Sequence, residues 1–93
     1  MSGKLKIGQL VQSVSGRDAG KYYLVWDVAD TSRALLVDGL GRKADRPKKK
    51  NVKHLKAYPV IIDEIEKELL AGQRVSDLEV HKALEILIKN RTR

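Results

Sequence analysis

IGQLVQSVSGRDAGKYYLVWDVA, residues 7–29, decides the fold. Its first nine residues interleave β-branched and apolar positions with polar ones, the period of a half-buried strand. Residues 16–20 form a turn, because two glycines and an aspartate supply the backbone angles of a tight reversal. Residues 21–29 then give the strongest strand signal in the chain, rich in aromatic and β-branched residues and free of Gly and Pro. Alternation places Tyr22, Leu24 and Trp26 on one face and Tyr23 and Val25 on the other. Trp26 is expected to be structural, since Trp is highly buried on average.

Downstream, residues 30–33 read as a polar turn and residues 34–38, ALLVD, as a short third strand ending at Gly39. Residues 41–50 are too polar and charged for a core strand and are expected to form a basic loop. Residues 51–57, NVKHLKA, predict a fourth strand with Val52, His54 and Lys56 on one face and Lys53 and Leu55 on the other. Four or five short strands in this span suggest a small closed barrel.

The pattern changes at Tyr58-Pro59, after which glutamate occurs for the first time. Ile62, Ile65 and Leu69 share one face of a helix expected over residues 60–71, with Gly72 as its stop. Ser76-Asp77-Leu78-Glu79 has the form of a capping box, opening a second helix from about residue 77 to residue 90. Val80, Leu84, Leu87 and Ile88 give that helix its apolar face. The fold expected is α+β and mainly β: a barrel over residues 1–58 and a two-helix hairpin over residues 59–93. The hairpin either packs on the barrel or contacts a protein partner.

Charge is unevenly distributed. Residues 1–60 carry 13 Lys+Arg against 5 Asp, whereas residues 61–93 carry 6 Lys+Arg against 7 acids. The first part is therefore the candidate binder of an acidic polymer. Absence of cysteine excludes a disulfide framework, a Cys-based zinc site and a thiol nucleophile. No apolar run is long enough to span a membrane, and residues 1–6 lack the core of a signal peptide, so a cytoplasmic protein is expected. No nucleophile arrangement is recognisable, so neither an enzyme nor a cofactor is expected. His81 and Glu85 lie four apart on a helix and read as a surface pair rather than metal ligands. Asp63 and Glu64 read as a solvated helix face.

The turn Gly16-Arg17-Asp18-Ala19-Gly20-Lys21 superficially suggests a phosphate-binding P-loop. Only three residues separate its glycines, Tyr22 replaces the magnesium-binding hydroxyl, and a strand follows rather than a helix. It resembles instead the KOW motif, in which a glycine-bounded basic turn joins two apolar strands. Gly8, Leu10 and Val11 precede the turn and Leu24 and Val25 follow it. Leu36-Val37-Asp38-Gly39 and Asn51-Val52-Lys53-His54-Leu55 lie downstream. Together, over about residues 6–57, these resemble the KOW-type large-subunit ribosomal proteins of archaea and eukaryotes, especially the fourteenth of the "e" series. Where many KOW motifs carry a further glycine, this chain has Tyr22-Tyr23, and the helical part lies outside the resemblance.

The resemblance implies an SH3-like barrel and RNA binding, with ribosomal RNA the first candidate. The expected contacts are Gly16, Arg17, Gly20 and Lys21 in the turn, then Arg42, Lys43, Arg46, Lys48, Lys49, Lys50, Lys53, His54 and Lys56 in the basic stretch. The glycines let backbone approach a phosphate, and arginine can fork to phosphate oxygens or stack on a base. Asp18 is expected to bond its own backbone in the turn. The dense basic block repels itself, so part of it is expected to stay mobile until an anion neutralises it. Two other classes stay open: a transcription or translation factor that touches protein as well as RNA, and a non-catalytic interaction module using the hairpin.

Overall fold

A computed structural model describes residues 5–91; residues 1–4 and 92–93, the outer ends of the two expected parts, lie outside the described residues. Five strands form one antiparallel sheet: β1 (Gln9–Ser13), β2 (Tyr22–Asp30), β3 (Arg33–Val37), β4 (Lys48–Asn51) and β5 (Leu55–Ile61). Their spatial order is β4-β3-β2-β1-β5, so β4 and β5 are the two edges of an open sheet. A one-turn 3-10 helix, Val52–His54, carries the chain from one edge strand to the other. Three residues cannot cross a flat five-stranded sheet, whose strands lie about 4.8 Å apart. The sheet must therefore curl until its edges approach at this point. Irregular register between Val25 and Asp27, and again between Val28 and Asp30, marks where β2 bends.

Curling buries both faces. On the concave side Val11, Tyr23, Val25, Ala34 and Leu36 are buried, with Leu5, Val52 and Leu55 packed against them. On the convex side Leu10, Leu24, Val37 and Tyr58 join Ile65, Val75, Val80 and Leu84 in a second cluster. The latter four come from α1 (Asp63–Leu70), α2 (Asp77–Arg91) and their connection. The helices are thus packed on the sheet. The alternation read from residues 21–29 holds: Tyr22, Leu24 and Trp26 face the helices, while Tyr23 and Val25 face the interior.

Several boundaries differ from the sequence expectation. Lys48–Asn51, most of it in the expected basic loop, is an edge strand paired with β3. An edge needs only backbone on one side, and lysine is tolerated there. Residues 52–54 are a helical turn, not a strand, and β5 instead continues to Ile61 through Pro59. Pro59 is tolerated because β5 is an edge and its register with β1 is irregular between Gln9 and Val11. Extension of β5 delays α1 to Asp63. At the start of α2 the Ser76 hydroxyl accepts from the Glu79 N–H at 3.1 Å, as the capping box requires.

Gly39 locks the sheet to α2. Its φ of 82° suits glycine, and a Cβ there would fall against the Asp77 carbonyl and 2.8 Å from the His81 nitrogen. The loop that follows is tied down. Asp38 Oδ1 accepts from the N–H groups of Leu40 and Arg42, and Ala44 N–H donates to Asp77 Oδ1 at 2.8 Å. The first half of the basic stretch therefore has a defined backbone, where self-repulsion alone suggests mobility.

Candidate nucleic-acid interface

Strand register determines which basic segments meet. Gln12 pairs with Tyr22, Ser13 with Leu55, and Leu24 with Val37. Residues 14–21, residues 38–47 and the start of β5 therefore leave the same end of the sheet. Arg17 and Lys21 stand in the first segment, and Arg42, Lys43 and Arg46 in the second; all five are exposed. Lys53 and His54, also exposed, sit in the 3-10 helix just before β5, where the His54 carbonyl accepts from Val14 N–H at 2.9 Å. The Asn51 side chain caps this helix by accepting from Lys53 N–H.

At the centre of this end lies Asp18, only 7% exposed. Gly16 and Gly20 both take positive φ, 84° and 95°, and fold residues 14–21 back over the end of β1. Asp18 is thereby directed inward rather than towards the turn's own N–H groups. Its carboxylate accepts from Ser13 Oγ at 2.8 Å, Tyr23 Oη at 3.0 Å and Lys50 Nζ at 2.9 Å, with Lys48 Nζ at 3.4 Å. Lys50 also donates to the Ser15 carbonyl. Burial alone pushes the Asp18 carboxyl up; Lys50, then the Ser13 and Tyr23 hydroxyls and the Lys48 charge, outweigh it and hold the group well below the usual carboxylate range. Tyr23 is pushed above its ordinary value by burial first and then by its bond to Asp18.

The basic residues thus divide into groups. Lys48 and Lys50 face the concave side and share Asp18 as counter-charge, so their chemistry is internal. Lys49, between them, is exposed on the other side of β4. Lys56 is exposed on the convex side, where its Nζ lies 5.2 Å from the centre of the Tyr58 ring. Arg17, Lys21, Arg42, Lys43 and Arg46 remain exposed on the segments that leave one end of the sheet, and Lys53 and His54 are exposed in the 3-10 helix that leads to it. Sequence reasoning did not find Ser13 and Tyr23 as partners of Asp18. One signal was available: Asp18 is the sole acid before Asp27. An isolated acid in a cationic stretch is a natural internal counter-ion.

The arrangement supplies cations and exposed turn backbone. Among the described residues, no three His, Asp or Glu side chains gather as a metal would require. His81 and Glu85 approach at 3.8 Å along one face of α2. Among the described residues, no helix is long and apolar enough to cross a membrane. No protein-family model matches the chain.

Proposed function

We propose that this chain binds structured RNA, with ribosomal RNA as the first candidate, through the basic end of its sheet. The observation that carries the reading is that segments bearing exposed cations leave that end together, beside a buried carboxylate paired with the two inward lysines. Exposed cations meet phosphates directly, and Asp45 is the single acid among residues 39–56. Asp18 and the two glycines fix the turn, so Arg17 and the exposed backbone beside it set position. The exposed cations from Arg42 to His54 add charge. Such contacts position a protein on a backbone without reading its sequence.

The fold belongs to the same reading. A curled sheet in which β1 pairs with both β2 and β5, and in which a single helical turn joins β4 to β5, supports an SH3-like barrel of the KOW type. On this account the protein is a ribosomal or ribosome-associated component and acts without catalysis. Crosslinking in cells, followed by sequencing of the bound RNA, tests it. Ribosomal RNA should dominate the recovered sequences, and Arg17→Glu combined with Lys53→Glu should reduce recovery severalfold. Recovery of little RNA, or recovery unchanged by that double variant, counts against the reading.

A further inference from the structure

Away from the basic end, α1 and α2 leave an apolar groove of about 330 Å³ between them. Ile62, Ile65, Ala83, Ile86 and Leu87 form its walls, and Ile86 is 60% exposed. Glu64 and Glu79 also line it. Beside Glu79 lies Glu68, whose Oε1 is buried without a hydrogen-bond partner. The neighbouring Glu68 carboxyl first, then burial and the Glu64 charge, hold the Glu79 carboxyl above its ordinary range. Like charges this close disfavour one another, so a cation placed beside them would relieve the repulsion.

We propose that the groove docks a basic amphipathic segment of another protein. Apolar side chains of that segment enter between Ile65 and Ile86, and a Lys or Arg settles over Glu64 and Glu79. Charge complementarity selects this occupant. Nucleic acid and anionic lipid are repelled by these carboxylates. A second copy meeting this one face to face would set the same acids against each other. A wholly apolar segment would bury the carboxylates further and leave them unpaired, which is costly. A cation flanked by apolar residues satisfies both the groove wall and the Glu64 and Glu79 carboxylates that line it, as in helix-in-groove recognition. The site is separate from the basic end and does not depend on what binds there.

The test uses the full chain and two synthetic helical peptides with leucines at i, i+3 and i+7. One carries arginines beside the leucines and the other carries glutamates at the same places. Calorimetry should show the arginine peptide binding at least about tenfold more tightly, a difference of about 1.4 kcal/mol. Amide chemical shifts should move at Ala83, Ile86 and Leu87. Ile86→Arg, at an exposed position that leaves the core intact, should weaken that binding about tenfold or more, and Glu79→Gln should reduce the preference for arginine over glutamate. Equal binding of the two peptides, shifts confined to other surfaces, or no binding at about 1 mM overturns the proposal. So does self-association of the chain that Ile86→Arg abolishes, because the groove then belongs to a second copy.

Discussion

Replacing Asp18 with alanine removes the one acceptor shared by Ser13, Tyr23, Lys48 and Lys50. The Lys50 side chain is 11% exposed, so its ammonium would stay largely buried with only the Ser15 carbonyl as partner. Breaking a buried ion pair by deleting one member costs about 3–5 kcal/mol, mostly through the charge left behind. At about 0.05–0.15 kcal/mol per residue, a chain of this size has roughly 5–14 kcal/mol in all. Asp18→Ala should therefore remove a large share of the stability and lower Tm by about 12–40 °C. Urea unfolding at pH 7, followed by circular dichroism, measures the loss. Adding Lys50→Met should restore at least about 1.5 kcal/mol, because the unpaired charge disappears with it. The pH dependence has a definite sign. Asp18 is depressed in the folded state, so its contribution is complete above the unfolded value of about 4 and is lost as pH falls through the folded value. The wild-type stability curve should fall more steeply below pH 4 than that of Asp18→Ala. A loss under about 1 kcal/mol, or no recovery with Lys50→Met, would refute the buried-pair account, since exposed pairs contribute that little.

Two further variants probe the frame that holds the interface. Gly39→Ala should cost about 2–5 kcal/mol, combining left-handed strain with a clash against α2. Gly20→Ala should cost only about 1–2 kcal/mol, because its φ of 95° is strained but no atom lies within 4 Å of the added Cβ; thermal denaturation of the two side by side should show the difference. Ser76→Ala should lose about 1 kcal/mol through the missing bond to Glu79 N–H, measured by urea unfolding, and should leave RNA affinity unchanged.

Much of the scaffold was legible because local pattern and tertiary packing agree over residues 9–37. The alternating run around Leu24 is buried on both faces, and the glycine-bounded turn has the φ values its sequence suggests. The apolar stripes of the two helices likewise meet the sheet as their spacing requires. The errors lie where an edge relaxes the usual rules. Lys48-Lys49-Lys50 reads as loop by charge, yet an edge strand asks only for backbone pairing with β3. Pro59 reads as a boundary, yet it sits on the other edge at an irregular register. For the candidate site, a count of basic residues identified the segments that carry the exposed cations but not the direction of each side chain. Lys48 and Lys50 turn inward because β4 shares its alternation with Leu36 and Ala34 of β3, and Asp18 waits on that side. Only long-range register contains that information. The resulting division separates lysines that stabilise the fold from those that can meet a ligand.

That division can be measured in one titration. Binding of a structured ribosomal RNA fragment by the full chain, followed by fluorescence anisotropy across a salt series, gives the slope of log K against log salt. Five outward phosphate contacts predict a slope of about −3.5 to −4.5, and Arg17→Ala and Lys53→Ala should each reduce its magnitude by about 0.7–0.9. Lys50→Met should leave the slope within error of wild type wherever the protein remains folded. No measurable affinity for the RNA at low salt, or a slope that responds to Lys50→Met and not to Arg17→Ala, would contradict the account.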